Sequence, residues 1–248
     1  MEAAETRGGG LAAELDRIEA AVDAGDTDLR ALGFWRIVGL IKRDDDLIDR
    51  YADQVGRIDA EAFERAVRVR IPVWAGNLIL FGILVVGAGG LVLAAAAGTR
   101  TDAFGPVDFD PTLAGIGLLV AAVAWDVGVH SPTHWLVGRL LGLGFTSYFM
   151  RSPTVPPGLK TDYATYLRTA PTRRAWMHAS GAIATKLVPF VVLALGAGFE
   201  VPGWTTTILW VLGIGQILTD VLFSTKKSDW KKVRRELAVA RARRGVAT

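Results

Sequence analysis

The sequence predicts an all-α integral membrane protein with four transmembrane helices. Three observations lead there. Hydrophobic residues make up 51% of the 248 residues, against 21% for Asp, Glu, Lys and Arg together. The apolar residues are clumped, and residues 71–98 hold no ionisable side chain. Lysine and arginine are dense in alternate inter-span segments and sparse in the others. A soluble domain of this size is less apolar and more highly charged. That balance excludes a soluble globular enzyme, a disordered chain and a disulfide-stapled secreted domain. The absence of cysteine removes thiolate zinc sites, iron–sulfur ligation and cysteine nucleophiles. The net charge of +3 is a matter of topology and implies no nucleic-acid partner.

The chain does not open as a signal peptide, which would place a short basic region before an apolar run. Residues 1–70 read instead as a helical cytoplasmic region. Leu11, Leu15, Ile18 and Val22 recur at helical spacing. Leu29, Leu32, Trp35, Val38 and Leu40–Ile41 form a second apolar face, with Asp26 or Thr27 as its cap. Asp44–Asp46 opens a third helix, and Asp59 is expected to cap a fourth that leads into the membrane.

A bilayer core takes about 20 apolar residues in a helix. Four segments qualify within a membrane domain of 71–225: roughly 72–98, 111–138, 175–199 and 201–225. Pro72 suits a first-turn position, where its missing N–H costs nothing. Residues 1–71 carry 11 Lys and Arg, the 139–174 loop carries six, and the segment after Thr225 carries nine. The 99–110 loop carries only Arg100. The positive-inside rule therefore puts both termini and the 139–174 loop in the cytoplasm of a cell that holds this chain in its inner membrane. Trp74, Trp176 and Trp204 fall near span ends, as an aromatic belt would place them. The basic tail, 226–248, is expected to be helical and drawn to anionic lipid.

The ionisable residues inside these spans are few. The second span holds Asp126, His130 and His134; the third holds His178 and Lys186; the fourth holds Asp220. Each costs at least about 2.5–3.5 kcal/mol to insert, so each needs a partner or a task. His134 lies five residues before Arg139, about 8 Å inside the cytoplasmic end of its span, and Asp220 lies at a similar depth. His130 and His134 are spaced i, i+4 on one helical face, so two imidazoles can reach one metal. Asp220 from another helix would complete a three-ligand zinc site with an open fourth position. The same spacing also suits two helix-packing histidines bonded to neighbours. Asp126 and Lys186, both about 16 Å from the inner boundary, are expected to form a buried ion pair.

The run His130-Ser131-Pro132-Thr133-His134-Trp135-Leu136-Val137-Gly138-Arg139 resembles the HExxH helix of the site-2 proteases, the intramembrane zinc metalloproteases. Ser180-Gly181-Ala182-Ile183-Ala184-Thr185 is similar to the small-residue signature of that family's next helix. Asp220 stands where the third core helix supplies its aspartate. The resemblance covers residues 112–225 and implies a three-helix core with His130, His134 and Asp220 as zinc ligands. It also implies His178 and Thr185 as neighbouring or substitute contacts, and transmembrane segments of membrane proteins as clients. The departures are specific. The glutamate that serves as general base is Ser131, and the proline and asparagine of the second signature are Ala182 and Thr185. A serine cannot hold the proton of a zinc-bound water, and a general base is typically worth roughly 10²–10⁴-fold. Asp126 points about 140° away from the lost glutamate around the helix and lies one turn deeper. The expectation is a degenerate, catalytically impaired member that binds or regulates clients. Two alternatives stand beside it: an active protease with an unconventional base, and a small transporter or channel subunit with a polar path.

Overall fold

The computed structural model describes residues 2–99, 108–150, 157–222 and 228–246. Most of the outer loop expected at 99–110 lies outside these residues, as do the ends of the fourth span and of the tail. The described chain is predominantly helical, with nine α-helices and one small sheet. It divides into two units: residues 1–73, 138–175 and 234–248 form one, and residues 74–137 and 176–233 the other.

The first unit begins with α1 (Glu2–Asp23), α2 (Phe34–Ile41) and α3 (Asp45–Ala66). Asp44 caps α3 by accepting from the Leu47 amide, and Asp45 and Asp46 favour its first turn. The apolar faces read from the sequence meet in one core that includes Leu15, Ile18, Phe34, Ile37, Ile41, Val55 and Ile58. Three expectations need correction here. The second helix is shorter than its apolar face, beginning only after Gly33, whose φ of 80° suits glycine. Asp59 caps no fourth helix: α3 runs through it, and its buried carboxylate pairs with Lys160. The region is also not all-helical. Strands β1 (Val69–Pro72), β2 (Phe145–Met150) and β3 (Gly158–Thr161) form an antiparallel sheet in the order β1-β2-β3. Pro72 therefore ends a strand, opposite Ser147, and does not open a helix. A proline is tolerated there because β1 is an edge strand. The sheet draws the 138–175 segment into the same unit as residues 1–73.

Helix α6 (Tyr163–Arg168) completes the loop segment, capped by Asp162. A charged cluster lies buried in this unit. Glu236, 0% exposed, accepts from Lys42 Nζ at 3.0 Å, Tyr166 Oη at 2.9 Å and Arg174 Nε at 2.7 Å. Two cations share that one carboxylate. Arginine does not give up its proton, so the cost falls on lysine: burial, against the pull of Glu236, lowers the Lys42 pKa from 10.5 to about 8.

The second unit is built from α4 (Val73–Gly98), α5 (Pro111–Leu140), α7 (Pro171–Leu195) and α8 (Gly203–Leu222). Three helical stretches, Val73–Gly98, Pro111–Leu140 and Pro171–Gly198, are long and apolar enough to cross a membrane. Their packing follows membrane rules, with small residues inside and large apolar residues outside. A Cβ on Gly90 would sit 2.7 Å from the Gly117 carbonyl oxygen, so α4 and α5 touch backbone to backbone. Phe81, Val85, Val92, Val123 and Val127 face outward and are more than half exposed. Where a fourth span is expected from the sequence, α8 runs for 20 residues, with Trp210, Val211, Leu218 and Leu222 exposed. Helix α9 (Asp229–Val246) follows, with Ser228 before it and Asp229 in its first turn.

Candidate metal centre

Helix α5 places His130 and His134 one turn apart, with their rings edge to face at 4.7 Å between centroids. Their Nε2 atoms are 3.3 Å apart. Asp229 Oδ2 lies 3.3 Å from His134 Nε2 and 3.3 Å from His130 Nε2. The three atoms thus form a triangle with equal sides. Tetrahedral zinc with bonds of about 2.0–2.2 Å holds neighbouring ligand atoms about 3.3–3.5 Å apart. The triangle is one face of such a tetrahedron. Among the described residues, His130, His134 and Asp229 are the group whose ligand atoms converge in this way.

The outer nitrogens fix which atoms of the imidazoles face the triangle. His134 Nδ1 is 2.6 Å from the carbonyl oxygen of Met177. A carbonyl only accepts, so Nδ1 carries the hydrogen. His130 Nδ1 is 3.0 Å from Thr185 Oγ1, and the Thr185 hydroxyl donates to the Gly181 carbonyl at 2.8 Å. That hydroxyl has spent its one hydrogen, so it accepts from His130. With its hydrogen on Nδ1, each imidazole in its neutral form turns a bare Nε2 toward the other ring and the carboxylate, and in its charged form donates Nε2–H to that carboxylate. A proton or a metal cation shared among these three atoms stabilises their convergence. The partners on the far side of each ring are those that orient metal-bound histidines.

The surroundings suit an anionic third ligand. Burial pushes the Asp229 carboxyl up, but the imidazoles of His130 and His134 and the Lys232 ammonium outweigh it and hold the group well below the usual range. Lys232 Nζ occupies the other carboxylate oxygen at 2.9 Å. Gly181 on α7 leaves room for the His134 ring: a Cβ there would lie 2.4 Å from Nε2. His134 is 9% exposed, whereas the His130 side chain is 39% exposed, so the triangle is open on the His130 side.

The other residues singled out from the sequence are placed differently. Asp220, expected as the third ligand, instead meets Lys186 Nζ at 2.8 Å and accepts from Trp230 Nε1 at 2.9 Å. Asp126, expected to pair with Lys186, accepts from Gln216 Nε2 at 2.9 Å. Counting residues gives each group's position along its helix, but not which neighbour that helix turns it toward. Thr185 contacts His130 directly, while His178 is buried on α7 outside the converging group. Ser131 follows His130 on α5. Sequence reasoning missed Asp229 because it lies beyond the last apolar run, among the lysines of the tail. Its one signal is a Ser-Asp helix start in an otherwise basic segment. Compared with models of protein families, with curated proteins and with solved structures, the chain matches none of them.

Proposed function

We propose that this chain is a four-span membrane protein that holds zinc at His130, His134 and Asp229, and that it binds membrane-protein clients on a site-2-protease-like core without cutting them efficiently. The observation that carries the metal is the equal-sided triangle of two imidazole nitrogens and one carboxylate oxygen at 3.3 Å. Two nitrogens and one carboxylate oxygen, with a fourth position open, are the donor set of a zinc site that keeps a water. Zinc in such a site supplies a Lewis acid and a water that ionises near neutral pH.

The residues of this chain supply the rest of the reading. His134 is held by Met177 and His130 by Thr185, so both donors are oriented before metal arrives. Ser131 occupies the position of the general base, and its hydroxyl orients a water without taking its proton. The site then keeps its grip on a polar group and lacks the proton shuttle. The exposed apolar face of α8 supports its role as a fourth span. The Lys and Arg distribution supports cytoplasmic termini, which places the centre near the inner face.

Metal analysis of the purified protein tests the first half. One equivalent of zinc is expected, falling to background in His134→Ala and Asp229→Ala and retained in Asp220→Asn. Retention in Asp229→Ala with loss in Asp220→Asn would overturn the ligand set. A single-span reporter substrate tests the second half. The parent protein should leave it intact, and Ser131→Glu should create cleavage that a further His134→Ala change abolishes. Cleavage by the parent that disappears with His130→Ala would show an active protease with another base.

A further inference from the structure

Helix α3 stands over one face of the small sheet and leaves a gap beneath it. The register sets Pro72 opposite Ser147 and Ser147 opposite Lys160, so these side chains form one cross-strand row. Arg70 and Phe149 lie two residues along their strands and share that face. From α3, Gly56, Asp59, Ala60 and Phe63 sit at i, i+3, i+4 and i+7, one stripe of the helix. Phe63 meets Phe149 edge to face at 5.0 Å between ring centroids, which sets the spacing of helix and sheet at that end. Toward Ser147 the facing residues are too small to fill the same spacing. The space left is a cavity of about 300 Å³, the lower end of the range that holds small ligands. Every residue that lines it belongs to the first unit.

Charge decides what the cavity accepts. Its wall carries three carboxylates, Asp59, Glu64 and Asp162, and two cations, Arg70 and Lys160, which leaves a formal charge of −1. Lys160 pairs with Asp59 and holds its ammonium 4.7 Å from the centre of the Phe63 ring. A carboxylate beside an aromatic face attracts an ammonium, and the chain's own lysine shows that these walls accept one. Arg70 reaches Glu64 only at 3.6 Å, beyond a hydrogen bond. Burial pushes the Asp59 carboxyl up in spite of Lys160, and the Asp162 charge adds to the rise. Negative charge here is therefore incompletely matched by the chain's own cations. A metal ion is a poor match, because among the described residues these carboxylate oxygens are not a converging group. An incoming anion would meet three carboxylates.

We infer that this cavity binds a small organic ammonium ion, its charged head drawn to the carboxylates and its apolar body against Phe63, Ile71 and Pro72. One positive charge brings the lining to neutrality. The cavity shares no residue with the candidate metal centre, so the two sites are assayed separately.

Three probes of similar size separate charge from shape: phenethylammonium, neutral 2-phenylethanol and anionic phenylacetate. Each is titrated at neutral pH into the full-length protein in maltoside detergent and followed by calorimetry. Saturable binding of phenethylammonium is expected, on the order of tenfold tighter than 2-phenylethanol, with none of phenylacetate. Glu64→Gln should weaken the ammonium about two- to fivefold, and Arg70→Gln should strengthen it by a similar factor, since these partly exposed charges act in opposite directions. Ala60→Trp, at an exposed position of α3 on the cavity wall, fills the gap and should abolish binding. Circular dichroism shows that the variants keep their helices. Equal affinity for the ammonium and the alcohol, preference for phenylacetate, no saturable binding of the ammonium, or affinity unchanged in the three variants would each overturn the inference.

Discussion

Replacing Gly181 by alanine tests the metal centre through a residue that donates nothing to it. A methyl group at this position would lie 2.4 Å from His134 Nε2, 2.6 Å from Cδ2 and 2.7 Å from Cε1. Apolar contact begins near 3.5 Å, so the ring must retreat by about 1 Å. It is not free to do so, because Nδ1 is tied to the Met177 carbonyl at 2.6 Å. Overpacking of this kind typically costs about 1–3 kcal/mol. A shift of about 1 Å is also half the length of a zinc–nitrogen bond, so His134 is lost as a ligand. Disturbing only an orienting contact typically lowers metal affinity about 10–100-fold, and loss of the ligand itself should reach or exceed the upper end. The assay is competition for zinc against a chromophoric chelator in detergent, with circular dichroism to show that the helices persist. Gly89→Ala on α4 is the control, since no atom lies within 4 Å of its added Cβ. Parent-like zinc affinity in Gly181→Ala would refute the placement of the His134 ring against α7.

Thr185→Val should weaken zinc binding about 10-fold, because it removes the acceptor that keeps the hydrogen on His130 Nδ1, while Thr185→Ser should retain it; the same chelator competition decides. Asp220→Ala should destabilise the protein more than the Asp220→Ala/Lys186→Met double variant, by less than the roughly 3–5 kcal/mol of a fully buried pair, since these side chains are 21% and 31% exposed. Thermal melts in detergent read that difference, and a single variant no worse than the double would break the pairing. The Lys42 pKa is lowered on folding from 10.5 to about 8, so between those values the unfolded chain binds a proton that the folded chain does not. Stability should therefore rise with pH across that window, by up to about 3 kcal/mol from this group, and the rise should vanish in Lys42→Met. A melting temperature that falls equally in both proteins from pH 8 to 10 would contradict it.

The sequence makes the long helices legible and the local pairings far less so. An uninterrupted apolar run such as 72–98 has one stable outcome, a buried or membrane-inserted helix, and α4 covers Val73–Gly98. The His130–His134 spacing is equally readable, because i, i+4 fixes both depth and direction on a single helix. Asp126, Lys186 and Asp220 sit on three different helices. Their depths follow from counting residues, but their azimuths depend on how the helices rotate against one another, and counting cannot supply that. The sheet escapes for another reason. Phe145-Thr146-Ser147-Tyr148-Phe149-Met150 has strand composition, but its partners are four-residue segments 73 residues upstream and eight downstream, too short to show a period. Asp59 reads as a cap because aspartate favours helix starts. Its pairing with Lys160, 101 residues away, lets it stay inside α3.

The exchange of Asp220 for Asp229 at the imidazole pair follows from charge allocation. The helical second unit buries two needs for negative charge at neighbouring places. One is the Lys186 ammonium on an apolar helix, which alone would cost at least about 2.5–3.5 kcal/mol. The other is the His130–His134 pair on α5, which a proton or a metal cation would charge and a carboxylate would then balance. Asp220 lies within α8 and meets Lys186 at 2.8 Å, a contact Asp126 forgoes for Gln216. Had Asp220 turned to the imidazoles, Lys186 would have been left with no carboxylate from α8. Asp229 is available because it opens a helix, where its charge is favoured by the helix dipole and by Lys232 three residues on. The consequence is that the third donor belongs to α9, whereas the other two share α5. Two donors on one helix are positioned together, whereas the third can leave without disturbing them. Zinc dissociation from this centre should therefore begin with Asp229, and Asp229→Ala should raise the off-rate more than Thr185→Val does.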